Sequence, residues 1–277
     1  MFFYIKYKYK GEYILYKLIA FDIDGTILPH GDVELSPEIL KMFEDLKKAG
    51  YVTAFVTGRE FITINKMIDT PNVDYFLGAN GTFIYDMKKK ETLWEKVVPF
   101  YEYKNLEKYC EENNINLSVI TQHSVFFRDK GSYQGNWFWD QFYDLIKPLD
   151  DDKIQKEDIH QITVRTTDTD EQKQVLEFVK TLSEIEVNTT WPQGMFVGPT
   201  GVNKASGLKR LGDRINIKLE EMVAFGDGSN DFEMLKEVGY GVAMEIADDD
   251  LKAVANDTCG KAADFGPLNK LKEMKIL

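Results

Sequence analysis

The chain has little sulfur or imidazole chemistry to offer. Cysteine occurs twice, as Cys110 and Cys259, and histidine three times, as His30, His123 and His160. Neither cysteine belongs to a C-x-x-C or Cys/His cluster, so neither a zinc site nor a disulfide framework is indicated. The two thiols read as ordinary buried or surface residues, and the scattered histidines as surface or structural ones. Positive charge is also short: 34 Lys and Arg stand against 46 Asp and Glu, for a net charge of −12. A nucleic-acid partner needs a basic face, and this composition argues against one. An anionic small molecule stays open, because a local cation or a metal can receive it. No apolar run reaches membrane-span length. Lys6, Lys8 and Lys10 break any continuous apolar segment near the start, so no secretory signal is read there. The expected compartment is the cytoplasm.

What is present is globular composition, with 43% hydrophobic and 29% charged residues in 277. That is enough chain for one large domain or two of ordinary size. Residues 1–16 alternate aromatic and Lys, interrupted by Gly11-Glu12. A hairpin added to a sheet edge would give this pattern; an extended leader is the simpler expectation. Residues 16–21 form a short apolar run, which predicts a buried parallel strand. Ser36 and Pro37 then open a helix, Ile39, Leu40, Phe43 and Leu46 share its face, and Gly50 stops it. Residues 51–56 and 73–77 predict two more strands. The βαβ rhythm lapses over 83–195, where short alternating segments mix with helical stretches around 103–113, 136–146 and 170–182. Asp150-Asp151-Asp152 reads as a solvated turn. After Gly201 the rhythm returns, with a helix over 204–214, a strand over 222–225, a short helix stopped by Gly239, a strand over 241–244 and a helix over 251–255. The layout is a split α/β core with a second, α+β region inserted.

Three predicted strands exit into polar residues of one kind. The first gives Asp22 and Asp24, the second Thr57, and a late one Asp227 and Asp231. Ligands of open α/β sheets bind beyond the carboxyl ends of the strands. Residues two apart share a strand face, so Asp22 and Asp24 can converge. Four carboxylates in one crevice repel and need an offsetting charge. Mg²⁺ fits, as a hard cation that takes oxygen ligands from carboxylates and substrate phosphate. A carboxylate can also attack phosphorus and carry the phosphoryl group. Such a transfer needs charge neutralisation, donors to the phosphoryl oxygens and a proton donor for the leaving oxygen. Lys204, Thr57 with the Gly25-Thr26 turn amides, and Asp24 supply one of each.

Asp22-Ile23-Asp24-Gly25-Thr26 resembles the first motif of the haloacid dehalogenase-like superfamily of phosphatases. Thr57-Gly58-Arg59 resembles the second, Gly201-Val202-Asn203-Lys204 the third, and Gly226-Asp227-Gly228-Ser229-Asn230-Asp231 the fourth. The insertion between motifs two and three, and the Gly-Val-x-Lys form of the third, are similar to the Cof-type, class IIB capped branch. The likeness spans nearly the whole chain beyond the leader. It implies a Rossmann-like parallel-sheet core over 17–82 and 196–277, with an α+β cap domain inserted over 83–195. It further implies that Asp22 is the nucleophile, and that Asp24 protonates the leaving oxygen and then activates water. Thr57 would bind the phosphoryl group, with Gly25, Thr26, Gly58 and Asn230 around it. Lys204 would neutralise that group and hold Asp22. Mg²⁺ would be held by Asp22, the backbone carbonyl of Asp24, and Asp227, with Asp231 a ligand through water or a partner behind the ligands. Arg59 and Asn80 are equally well explained by a salt bridge and a hinge turn.

The resemblance implies a Mg²⁺-dependent phosphatase acting on a small phosphorylated metabolite, a sugar phosphate or a phosphorylated cofactor, through phospho-Asp22. A phosphotransferase or mutase of the same fold is the alternative. A non-catalytic phosphate-binding protein or signalling receiver fits less well, because receivers lack both the second Asp of the first motif and a cap. The cap would cover the site and exclude water. Within it the segment Gly131-Ser132-Tyr133-Gln134-Gly135-Asn136-Trp137-Phe138-Trp139 could serve as a substrate loop, although packing of Trp137, Phe138, Phe142 and Tyr143 against the cap sheet is the simpler expectation. Met195-Phe196-Val197 reads as core. One departure stands out: after Ala243-Met244 the chain has Glu245-Ile246-Ala247 where this branch often has Gly-Asn-Ala.

Overall fold

The computed structural model describes residues 6–9, 12–133 and 135–277. The chain divides into two compact units, one built from residues up to 58 with 66–94 and 203–277, the other from 59–65 and 95–202.

The first unit begins with β1 (Lys6–Tyr9) and β2 (Glu12–Leu15), which pair antiparallel in a two-stranded sheet of their own. The expected extended leader is therefore a pair of antiparallel strands; Gly11, residues 1–5 and Lys10 lie outside the described residues. Then come β3 (Leu18–Phe21), α1 (Pro37–Ala49) and β4 (Val52–Val56). The Ser36 hydroxyl accepts from the Ile39 amide at 3.3 Å, and Gly50 closes α1 at φ 91°, a left-handed conformation that glycine adopts without penalty. A single turn, α2 (Phe61–Ile64), belongs to the second unit. The chain continues through β5 (Tyr75–Gly78), β6 (Phe83–Asp86) and β7 (Glu91–Glu95).

The second unit follows with α3 (Phe100–Glu112), β8 (Asn116–Thr121), β9 (Val125–Phe127), β10 (Ile146–Pro148), α4 (Asp151–Ile154), β11 (Ile159–Arg165), α5 (Thr169–Val179), β12 (Ile185–Trp191) and β13 (Gly194–Pro199). The first unit then resumes with α6 (Lys204–Ile215), β14 (Met222–Gly226), α7 (Phe232–Glu237), β15 (Tyr240–Met244), α8 (Asp249–Val254), β16 (Asp257–Cys259) and α9 (Gly266–Glu273).

The sheet of the first unit has eight strands in the order β16-β15-β14-β3-β4-β5-β6-β7. Pairing is parallel from β16 to β5 and turns antiparallel between β5 and β6. Alternation along β3 sends Leu18 and Ala20 to one face, where Leu208, Leu211, Met234 and Leu235 of α6 and α7 pack. Phe21 goes to the other face, stacked on Phe225 with ring centroids 5.2 Å apart and edge-on to Phe43 of α1 at 5.4 Å. A parallel sheet covered on both faces needs such continuously apolar strands, and every residue of β3 is buried. From β3 the chain builds outward to β4 on one side, and β14 later lies on the other. The carboxyl end of β3 is thus a topological switch point.

The sheet of the second unit runs β10-β9-β8-β11-β13-β12, all antiparallel except for the β9–β10 pair. Its core gathers Tyr103, Leu106 and Cys110 of α3 and Val175 and Val179 of α5 against Leu117, Val119, Ile162, Val164, Met195 and Val197. Cys259, in the first unit, is also buried, and burial pushes both thiols up to about 12.

Several elements differ from expectation. β6 and β7, which the sequence groups with the inserted region, pair into the core sheet, because a strand of four or five residues does not itself say which sheet it joins. At the other end β13, which straddles the expected 195/196 boundary, belongs to the inserted sheet. The helix expected over 136–146 is a run of 3₁₀ turns, Trp139–Leu145. A period of three aligns Trp139 with Phe142, and both are buried with Ile120, Val125 and Phe127. Packing therefore accounts for these two rings, while Trp137 and Tyr143 are exposed; Gln134 of the same segment lies outside the described residues. The Asp150-Asp151-Asp152 turn is the start of α4, with Asp150 capping it by accepting from the Lys153 amide at 3.2 Å.

Candidate active site

Asp22 sits one residue beyond β3, where its amide donates to the Phe225 carbonyl of β14 at 3.0 Å. That bond ties the exits of the two strands together. The next turn reverses sharply. The Gly25 amide donates to the Leu28 carbonyl at 2.8 Å, and Gly25 itself has φ +85°. A Cβ on Gly25 would lie 2.3 Å from Oδ2 of Asp227, so both backbone conformation and space exclude a side chain there. The Thr26 hydroxyl donates to Oδ1 of Asp227 at 2.9 Å.

Lys204 is the first residue of α6. Asn203 caps that helix through the Ser206 amide at 2.8 Å, and Ser206 returns its hydroxyl oxygen to the Asn203 amide at 2.9 Å. This reciprocal cap fixes where the lysine leaves the backbone. Its side chain is fully buried, with Nζ 2.7 Å from Oδ1 of Asp22 and 2.6 Å from Oδ1 of Asp231. The other oxygen of Asp231 accepts from the amides of Asp227 and Gly228, each at 3.0 Å. Asp231 is thereby engaged at both ends. Gly226 makes this fit possible, since a Cβ there would lie 2.4 Å from the Asp231 carboxyl carbon.

Asp22, Asp227 and Asp231 each present an oxygen within 4.8 Å of the others. One buried ammonium among three carboxylates leaves negative charge in excess. Burial pushes Asp22 well above the usual carboxylate range; Lys204 opposes that shift, and the charges of Asp231 and Asp227 add to it. Burial and the charge of Asp231 raise Asp227 as well, against the Thr26 hydrogen bond. For Lys204 burial favours the neutral amine, but Asp22 and Asp231 outweigh it and hold the ammonium. The donor set is all oxygen and short of positive charge, which suits a hard divalent cation such as Mg²⁺ and not a softer metal.

The remaining predicted residues divide. Asn230 donates to Oδ1 of Asn80 at 2.8 Å, and Gly58 lies against both amides. Thr57, at the end of β4, is buried, and its backbone bonds Leu77 and Asn80. Asn80 holds φ 59°, so the Ala79-Asn80-Gly81 turn is as fixed as the motif turns; the Asn-Gly pair was the available signal for it. The Asp24 carboxylate is outside the three-carboxylate cluster, and its backbone bridges to Leu28. Arg59 is buried in the second unit, donating to the Thr63 carbonyl at 2.8 Å with its guanidinium 5.2 Å from the Phe138 ring. The His30 ring comes against Gly25. Glu245 and Ile246, just past β15, are both exposed, with Glu245 3.5 Å from Lys261. Sequence reasoning missed Gly226 as a space requirement, and missed Glu60 and His160, which are described below.

A family profile of haloacid dehalogenase-like hydrolases matches residues 19–270. The chain belongs to that family. As a haloacid dehalogenase-like hydrolase it is an enzyme of the phosphoric monoester hydrolase class, and its capped architecture agrees with the Cof-type subclass. It is 27% identical over 246 residues to a 5-amino-6-(5-phospho-D-ribitylamino)uracil phosphatase of Bacillus subtilis, covering 87% of this chain and 88% of that one. It is 26% identical over 258 residues to a pyridoxal phosphate phosphatase of Escherichia coli, covering 88% and 93%. Among solved structures it is similar to a HAD subclass IIB sugar phosphatase at TM-score 0.80 and 25% identity, over 94% of this chain and 100% of that one. A HAD phosphatase of Bacteroides thetaiotaomicron shares the fold at TM-score 0.82 and 21% identity, over 95% and 96%. Among the described residues of this hydrolase, no helix is long and apolar enough to cross a membrane.

Proposed function

We propose that this protein is a Mg²⁺-dependent phosphatase that hydrolyses a small phosphorylated metabolite, a sugar phosphate or a phosphorylated cofactor, through a phosphoryl group carried on Asp22. The observation that carries the reading is the buried Asp22–Lys204–Asp231 bridge beside Asp227, at the exits of β3 and β14. Relatives named for a phosphorylated uracil derivative, pyridoxal phosphate and sugar phosphates support the substrate class.

In this mechanism Lys204 orients the Asp22 carboxylate and favours its ionised form. A carboxylate oxygen of Asp22 attacks phosphorus, and the bond from phosphorus to the ester oxygen breaks. Asp24 gives its proton to that oxygen, so the alcohol leaves neutral. Water then attacks the phosphoryl group on Asp22, and Asp24 takes the water's proton. Phosphate departs, and both carboxyl groups return to their starting states. Thr57, Gly58 and Asn230 hold the phosphoryl oxygens; the Gly25 and Thr26 amides, expected to join them, are instead spent within the turn, donating to the Leu28 and Ile23 carbonyls at 2.8 and 3.2 Å. Asp22, the Asp24 carbonyl and Asp227 would hold Mg²⁺, while Asp231 keeps Lys204 and the Asp227-Gly228 backbone in place. Bound Mg²⁺ supplies charge stabilisation to the oxygens of the transferring group.

Phosphate release from a panel of phosphorylated metabolites tests this. A few compounds should be hydrolysed, and Asp24→Ala should lower the rate on the best of them by about 10²- to 10⁴-fold, the usual worth of a general acid. No release from any compound would sink the hydrolase reading, and phosphoryl exchange between sugars would identify a transferase instead. Chelation gives a separate expectation. EDTA should abolish turnover and Mg²⁺ should restore it; undiminished turnover after exhaustive chelation would remove the metal from the mechanism.

A further inference from the structure

The chain passes between the two units four times, at 58/59, 65/66, 94/95 and 202/203. A simple insertion needs two such passages. The segment 59–65 adds the other two, and it starts directly after Thr57-Gly58.

One histidine gathers two of these passages. His160, on β11, is fully buried, and its Nδ1 lies 2.6 Å from Oε1 of Glu60, also fully buried. Its Nε2 lies 3.4 Å from Oε2 of Glu95. Glu60 is the second residue after the first passage and Glu95 the first after the third. Burial works against a charged imidazole, but the two glutamates outweigh it and hold the pKa of His160 above its ordinary value. The neighbouring residue on β11 adds a backbone tie, the Ile159 carbonyl accepting from the Val98 amide at 2.7 Å.

The segment that Glu60 begins is built to be held as a piece. The other oxygen of Glu60 accepts from the Phe61 amide at 3.0 Å, and its backbone amide donates to the Thr63 hydroxyl at 2.8 Å. Ile62 packs with Ile120, Val125, Phe127, Trp139 and Phe142. A buried ion pair is costly unless its geometry is good. A charged pair fixes one register and one orientation, which is what a backbone needs if it must present donors to a ligand at the adjoining residues.

We propose that His160 is a positioning residue of the phosphatase site: through Glu60 it fixes the backbone of Gly58, which follows the sheet-anchored Thr57, in the conformation that receives the phosphoryl group. The proposal rests on the reading of Thr57-Gly58 as phosphate-binding. Because a bound phosphate and the transition state both use these donors, the loss falls on affinity more than on the chemical step.

The test uses the full-length protein with Mg²⁺. It measures the Kd of inorganic phosphate by calorimetry, and KM and kcat on the best substrate. Glu60→Gln keeps size and hydrogen bonding but removes the charge; it should raise both the phosphate Kd and KM about 10-fold with kcat within about twofold. His160→Ala should do the same, and the double variant should be no worse than either single one, since both break one interaction. Glu107→Gln, which breaks the 3.0 Å pair with Arg128 elsewhere in the same unit, should lower Tm without moving either constant. If Glu60→Gln lowers Tm but leaves phosphate Kd and KM unchanged, the clasp is structural only and the proposal fails. If the wild-type protein has no measurable phosphate affinity and hydrolyses nothing, the phosphatase reading fails, and the clasp with it.

Discussion

Asp22→Asn should end turnover while leaving the protein folded. The amide is close in shape to the carboxylate, and its oxygen can still accept from Nζ of Lys204, where Oδ1 of Asp22 now sits at 2.7 Å. What it cannot do is carry a phosphoryl group to water. The expected fall in kcat is about 10³-fold or more, the scale seen when a covalent nucleophile is removed. Stability should move the other way. In the metal-free protein, burial raises the pKa of Asp22, so the folded state holds that proton more tightly than the unfolded chain does. Ionising Asp22 at neutral pH therefore costs stability, and the neutral amide removes that cost. In metal-free buffer the variant's Tm should equal or exceed that of the wild type. Added Mg²⁺ should raise Tm less in the variant, because one ligand oxygen has lost its charge. Phosphate release and thermal melts with and without Mg²⁺ read both effects. Turnover within about tenfold of wild type would show that another group attacks phosphorus.

The site was more legible in the sequence than the architecture around it, and the reason is chemical. The Asp and Lys residues picked out by their places at strand exits and at a helix start are the ones the structure brings together, as Asp22, Asp227 and Asp231 around Lys204. The core strands were legible because a doubly covered parallel strand must be apolar throughout, as Leu18–Phe21 is. The cap of α1 was legible because Ser36 and Gly50 satisfy backbone groups that few other residues can. Elements that answer to packing were harder. Phe83–Asp86 is too short to show which sheet it joins, and only its pairing with Tyr75–Gly78 assigns it. Trp139 and Phe142 favour a three-residue period because of the strands they cover, which no local propensity encodes. The Glu60–His160 pair joins residues 100 positions apart. Neither partner belongs to a motif, so a reader of the sequence has no reason to join them. Their charges become informative only once burial is known.

Lys204→Met is expected to be strongly destabilising. Methionine fills a similar volume, so packing changes little; what is lost is the only cation facing Asp22 and Asp231 among the described residues. Breaking a buried ion pair from one side typically costs about 3–5 kcal/mol, because the remaining charge stays buried without compensation. Here two carboxylates are left with Asp227 beside them, which places the expected loss toward the upper end in metal-free buffer. The deficit should shrink as pH falls. Without the ammonium, burial and the charges of Asp231 and Asp227 raise Asp22 further, and on acidification it takes up a proton more readily in the folded state than in the unfolded chain. Adding Asp22→Asn to Lys204→Met should recover part of the loss, so that the double variant is more stable than the sum of the single effects predicts. Urea denaturation at pH 7 and at pH 5 reads all three quantities. A Lys204→Met protein as stable as the wild type at pH 7 would mean that the carboxylates are already protonated in the resting enzyme. The lysine would then be dispensable for charge balance, and its place in the mechanism would reduce to contact with the substrate.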